Sequence, residues 1–310
     1  YALGLPGMGI YNCGNGILSA TGDTKRPLVY LSVAGVLNVI LNLVFVIGCR
    51  MSAEGVAIAS AIAQWVSAGL IFVHLLRRRD ACRLELRKLR IHRMAAKRIL
   101  MIGIPSGMQN AIFAVANLFV QAGLNSFDEI TVSGAAAAAN ADTLIFNMMA
   151  AFYTACASFV SRNWGAGRKD RILKSYYISM LYAFLAGAIF GGLMLLLGRQ
   201  FLYLFASEEA VIDAGMDRLR IMAFSYGFGA LMDASIAASR GLGKSIAPTV
   251  MVILGSCVFR VIWIYTVFAF FHTVPSLYLL YIFSWVITGI AEFLYFRATY
   301  KKCLTSTQLW

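Results

Sequence analysis

Nine apolar runs, separated by short polar links, occupy most of this 310-residue chain. They fall at roughly 3–20, 28–48, 55–76, 100–127, 131–160, 176–198, 214–239, 246–271 and 277–296. A helix needs about 20 apolar residues to cross hydrocarbon. There, a peptide group without an internal partner finds no water, so only helices and closed barrels can span. Polar residues within the runs recur at helical spacings, and none shows the alternation over about ten residues that marks a barrel strand. The expected fold class is therefore an all-α polytopic membrane protein. Composition agrees, with 60% apolar and 13% charged residues and a mean hydropathy of +0.74, far from the roughly 45–50% and 25% of soluble domains.

A net charge of +13 invites a nucleic-acid reading, but the placement of the charges decides otherwise. With the link after the first run in the cytoplasm, alternate links hold 22 of the 27 Lys and Arg residues. On the opposite side lie Arg50, Arg199 and, at the start of the 214–239 run, Arg218 and Arg220, counted with the link before it; Arg260 alone lies mid-run. This is a positive-inside signature, which places the C-terminus in the cytoplasm and removes nucleic acid as a partner. Cys13, Cys49, Cys82, Cys156, Cys257 and Cys303 form no CxxC pair, and His74, His92 and His272 no HExxH. They read as fillers and scattered side chains, so neither a metal site nor a cofactor is expected.

Two short stretches share a frame. "TGDTKRPL" (21–28) and "LGKSIAPT" (242–249) lie 221 residues apart, with Gly22 on Gly243, Pro27 on Pro248 and Asn12 on Asp233. Each lies between two apolar runs of matching hydropathy, as in a parallel transporter repeat. The expected organisation is residues 1–76 as the last three helices of an N-terminal lobe, 77–98 as a basic cytoplasmic linker, and 99–310 as a six-helix C-terminal lobe. On that register about 120 residues and three helices precede Tyr1, which would make two pseudo-symmetric six-helix lobes in the full-length chain, with about nine helices present here. In the linker, Leu84, Leu86, Leu89, Ile91 and Met94 alternate with cations, which suits either a segment lying on anionic headgroups or a solvated loop.

Glycine ends a helix in the left-handed conformation and proline suits the first turn of the next. The spacing thus predicts tight reversals at Gly22–Pro27 and Gly243–Pro248, with Lys25, Arg26, Arg240 and Lys244 at the headgroups. "GLGKS" (241–245) lacks the first glycine of a phosphate loop and follows an apolar helix rather than a strand. Pro6 and Pro105 are candidate kinks. "SGAAAAANA" (133–141) and Gly187, Gly191 and Gly192 offer small surfaces for close helix approach.

Acids within spans are costly and mark pathways or pairs. Asp142 and Asp233 are the ion-coupling candidates, with Arg260 as the expected partner of Asp233. Glu292 is expected to snorkel toward the cytoplasmic surface. Asn110, Asn117, Gln121 and Asn125 share one helix face at steps of 7, 4 and 4. Asn140, Thr143, Asn147 and Thr154 form a second stripe, from which Asp142 points away. With Gln109 and Asn12, the residues Asn110, Asn117, Gln121, Asn140 and Asn147 are candidates to line a substrate cavity. The same amides would serve interhelical hydrogen bonding equally well.

"ATGDTKRPL" (20–28), "IGIPSGMQN" (102–110), "VQAGLNSF" (120–127), "SFVSRNWGAGRKDRI" (158–172) and "SRGLGKSIAP" (239–248) resemble, in this order, motifs of multidrug and toxic compound extrusion transporters. The resemblance runs the length of the chain, from the fourth of the family's twelve helices to the last. It implies a bacterial inner-membrane antiporter, monomeric and free of cofactors, that exports organic cations or other amphipathic small molecules while H+ or Na+ moves inward. It implies acids at Asp142 and Asp233 and an arginine at Arg260. Ser19 stands where the family often has arginine, and Phe113 where sodium-coupled relatives place an acid. A flippase for lipid-linked oligosaccharides has a similar two-lobed fold and would want a more cationic cavity. An intramembrane enzyme would want a His or Lys dyad, and no such residue lies mid-span.

Overall fold

The computed structural model describes residues 2–80 and 82–305; Tyr1, Ala81 and residues 306–310 lie outside the described residues. These residues form helices and no strand. In order they are α1 (Leu5–Thr21), α2 (Lys25–Leu43), α3 (Ala53–Arg77), α4 (Arg93–Leu124), α5 (Glu129–Gly165), α6 (Lys169–Leu202), α7 (Glu209–Ala223), α8 (Tyr226–Gly241), α9 (Ile246–Phe271) and α10 (Val274–Thr305). Seven are long and apolar enough to cross a membrane, and α7 with α8 makes an eighth. The run expected at 214–239 is thus two helices meeting at 50°. Ser225 sits fully buried at this break, donating its hydroxyl to Met222 O at 2.6 Å. Pro6 lies in the first turn of α1 and so begins that helix rather than kinking it, whereas Pro105 is inside α4.

The chain divides into two compact units, one ending at Ile91 and one starting at His92. In the first, α3 packs on α1 and α2. Tyr11, Leu18, Ile71 and Leu75 form its core, with Leu84 against it. The Tyr11 hydroxyl donates to Pro27 O at 2.9 Å, tying α1 to the start of α2. Leu86, Leu89, Ile91 and Met94 are exposed.

In the second unit, α5 packs on α6, α7 and α8, and α10 covers α8. Small residues set these approaches. A Cβ at Gly134 would stand 2.6 Å from Val211 O and 2.7 Å from Gly215 N, and one at Gly191 3.1 Å from Ala223 O. Gly192, by contrast, faces open space.

Both predicted reversals are present, and their hydrogen bonds match in register. Gly22 (φ 90°) donates to Ser19 O and Asp23 N to Leu18 O; Gly243 (φ 76°) donates to Arg240 O and Lys244 N to Ser239 O. Each is a Schellman end, which needs a residue without a Cβ at the left-handed position. Asp23 pairs with Arg26 at 3.2 Å across the first turn. Arg240 departs from expectation: it turns inward and donates to Gln109 Oε1 at 2.8 Å instead of reaching headgroups.

Overpacking a close helix contact costs about 1–3 kcal/mol. Gly134→Ala should therefore lower the thermal unfolding temperature of the purified protein, while Gly192→Ala should leave it unchanged or slightly raised; equal effects would show that the α5–α7 approach does not depend on Gly134.

Candidate functional site

A cavity of about 420 Å³ lies within the second unit. Helix α4 brings Gln109, Asn110, Phe113 and Asn117 to it; α5 brings Asp142, Phe146 and Tyr153. The bent pair supplies Arg218, Met222, Met232 and Asp233, and Tyr281 and Trp285 come from α10. Its volume and aromatic walls suit a small molecule, since such sites are typically about 300–1,000 Å³ and largely apolar with a few polar groups.

Asp142 is buried and doubly held. It forms an ion pair with Arg218, and the Tyr226 hydroxyl donates to its other oxygen at 2.5 Å. Arg218 also donates to Ala135 O at 2.8 Å and lies 5.2 Å from the centre of the Tyr278 ring. This clasp joins α5, α7 and α8, and its cation was expected in a link. The signal was there to find, because Arg218 falls at the 3–4 spacing of Val211, Gly215 and Met222, all on the buried side of α7. A cation on that stripe has to meet an acid or stay uncompensated.

Asp233 faces the same cavity from α8, and no hydrogen bond or ion pair reaches its carboxylate among the described residues. The expected Asp233–Arg260 pair is not formed. Arg260 is fully buried, donates to Asn117 Oδ1 at 2.9 Å, and has the Phe113 and Tyr281 rings 4.4 and 4.5 Å from its guanidinium carbon. Its short helical stretch, Phe259–Trp263, is flanked by π-helical segments Ile253–Val258 and Ile264–Phe268. Such segments shift the side chains that follow by a fraction of a turn, and this shift is invisible to a 3.6-residue period. Cation–π contacts of this kind offset part of the cost of a desolvated guanidinium, by about 2 kcal/mol, while its Nε and Nη2 stay buried without a hydrogen-bond partner among the described residues.

The amide stripes divide. Gln109, Asn110 and Asn117 line the cavity. Gln121 donates to Asn125 at 2.8 Å on an exposed face, and Asn140 bonds back to Ala137 O at 3.2 Å. Asn140, Asn147 and Thr143 are exposed, on the side of α5 opposite Asp142. Asn12 is exposed on α1 in the first unit. Glu292 corrects a further expectation: it does not snorkel but is wholly buried.

Fold and site together define a multi-pass helical membrane protein with a polar cavity inside one bundle. Residues 105–266 match the MatE family model, and the chain belongs to that family. Curated relatives include the probable multidrug resistance protein NorM of Thermotoga maritima, 23% identical over 99% of this chain and 65% of that protein. The probable multidrug resistance protein YpnP of Bacillus subtilis is 27% identical over 70% of this chain and 48% of its own length. The chain thus spans less than two thirds of the length of either. Among solved structures, an outward-facing multidrug resistance MATE family transporter of the MOP superfamily superposes with a TM-score of 0.87 at 21% identity, over 96% of this chain and 67% of that one. A MOP superfamily transporter from Pyrococcus furiosus, described for the reverse polarity of its binding pocket, superposes with a TM-score of 0.88 at 22% identity, over the same shares. These likenesses concern the fold.

Removing one member of a buried ion pair leaves the other uncompensated, at a cost of about 3–5 kcal/mol. Arg218→Gln should therefore sharply lower thermal stability, and adding Asp142→Asn should restore most of it. If the double variant is as unstable as the sum of the two singles, the clasp is not the reason.

Proposed function

We propose that the full-length protein is a secondary active antiporter that exports organic cations or other amphipathic small molecules by alternating access, coupled to inward movement of H+ or Na+. The observation that carries this reading is the unpaired carboxylate of Asp233 on an aromatic-walled cavity of about 420 Å³. With Asp142 balanced by Arg218, Asp233 is the negative charge left to the cavity, and aromatic faces with a carboxylate favour cations. An acid so placed can hold a proton in one state and a substrate or metal cation in another, which ties occupancy to conformation.

Asp233 is the main coupling acid in this reading. Asp142 and Arg260 contribute by shaping the cavity wall, Asp142 through its clasp and Arg260 through Asn117 and Phe113. Gln109, Asn110 and Asn117 supply hydrogen bonds to cargo, and Asn12, Gln121, Asn140 and Asn147 remain candidates as exposed amides on apolar helices. The lobes follow the expected organisation, with residues 77–98 as the linker and 99–310 as the C-terminal lobe. The protein sits in the bacterial inner membrane with its C-terminus in the cytoplasm, as the bias of Lys and Arg between links supports. It works as a monomer without a cofactor. The cavity holds Asp142, Asp233 and Arg218, a balance that argues against a pyrophosphate-linked cargo and so against the flippase alternative.

The test is efflux of toxic cations from proteoliposomes of the full-length protein under an imposed pH or sodium gradient, without ATP. Asp233→Asn should abolish gradient-driven accumulation and weaken the binding of cationic cargo. Coupling that survives in that variant would remove Asp233 from the mechanism.

A further inference from the structure

Glu292, on α10, is 0% exposed, and neither of its carboxylate oxygens has a hydrogen-bond partner among the described residues. A bare carboxylate there would carry the full cost of a buried, uncompensated charge. The cation that acts on it is Arg240, near the end of α8. No ion pair closes between them, however. Arg240 donates instead to the neutral Gln109 Oε1 at 2.8 Å, and its own Nε is buried without a partner.

Asp233 and Tyr153 act on the same guanidinium. Two carboxylates therefore share one cation. Fully ionised, the group carries a net charge of −1 in the interior of the bundle; a single proton on either acid makes it neutral. Of the other buried cations, Arg218 pairs with Asp142, and Arg260 donates to Asn117 and lies against the Phe113 and Tyr281 rings. A metal cation would meet repulsion from the adjacent guanidinium, whereas a proton needs no further ligand.

We propose that Glu292 is a second proton-binding site, in series with Asp233 and joined to it through Arg240, which moves from Gln109 to the Glu292 carboxylate when that group loses its proton. In this step the O–H bond of Glu292 breaks and the proton passes to water. The freed carboxylate then accepts an N–H of Arg240, whose bond to Gln109 Oε1 is broken. Asp233 and Arg240 are seven residues apart on α8, about 10 Å at 1.5 Å per residue, and the turn after Arg240 carries Lys244. Trp285 stands beside Gly229 and Gly289 beside Met232, which puts Glu292 within about one turn of Asp233 along the bundle, between it and Arg240. Because Gln109 lines the cavity, its release reports the state of Glu292 to the cargo site. The direction of proton movement rests on the antiport reading above; proton binding at Glu292 does not, and it is measurable without transport.

The experiment is infrared difference spectroscopy of the purified full-length protein in lipid nanodiscs, titrated with acid and base. A protonated carboxyl stretch that titrates should be lost in Glu292→Gln and shifted in Glu292→Asp, and the second variant decides the matter if the first does not fold. Gln109→Leu, which frees Arg240 for the ionised carboxylate, should move this titration to lower pH; a merely structural Gln109 would leave it in place. A titrating band that is unchanged in both Glu292 variants, or a Glu292 band that does not respond to pH, overturns the proposal. If the Glu292 band titrates while Asp233→Asn stays coupled, the proton site stands and the coupling assignment falls.

Discussion

Inside hydrocarbon, the peptide N–H and C=O must be satisfied by the chain itself, and this single constraint accounts for the architecture described. It forces unbroken helices between links, and it confines irregular backbone to places where other groups take over the freed donors and acceptors. Three such places stand out. At the α7–α8 break, the Ser225 hydroxyl takes up Met222 O. At the two Schellman turns, positive-φ glycines let the backbone close on itself. Around Arg260, π-helical segments keep the ladder going while turning side chains out of step.

Once the backbone is settled, the costly items are the charges, and the second unit handles its buried charges in three different ways. Asp142 and Arg218 neutralise one another, with Tyr226 and Ala135 O absorbing the remaining hydrogen-bonding capacity. Arg260 has no acid and is held by ring faces and one amide oxygen. Arg240 has two acids within its field and is bonded to neither. The first arrangement is static, because parting the pair is expensive on both sides. In the proposed switch the third has two resting places for one cation, Gln109 Oε1 and the Glu292 carboxylate, and a single proton decides between them. Under the antiport reading proposed above, that is where a switch is cheapest to build.

Much of this was legible in the residues. The apolar runs, the helical class, and the turns at Gly22 and Gly243 all rest on local chemistry, and the matched hydrogen bonds across the 221-residue repeat follow from the same glycine in the same frame. The face of α4 that carries Asn110 and Asn117 was also legible, because a helix of regular pitch fixes which residues share a side. What failed were statements about partners. Asp233 was matched to Arg260 because both lay mid-span on successive helices, but the π-helical turns of α9 aim Arg260 at Asn117 and Phe113. Glu292 was expected at the cytoplasmic surface because it lies near the end of the last run, although burial depends on which side α8 covers. Arg218 was counted with the link before the 214–239 run because hydropathy does not show the 50° break that makes α7 a separate helix.

The sequence by itself therefore determined the helical class, most of the apolar segments, and where Gly22 and Gly243 turn the chain. Those properties are sums over neighbouring residues, and transfer to hydrocarbon is paid residue by residue. Only the tertiary structure decided which charges meet. A side chain's angle about its own helix axis can be read from spacing, but its partner depends on the rotation, tilt and bend of the helix opposite. In this chain those are set by contacts such as Gly134 against Val211 O and Gly191 against Ala223 O, between residues far apart in the sequence.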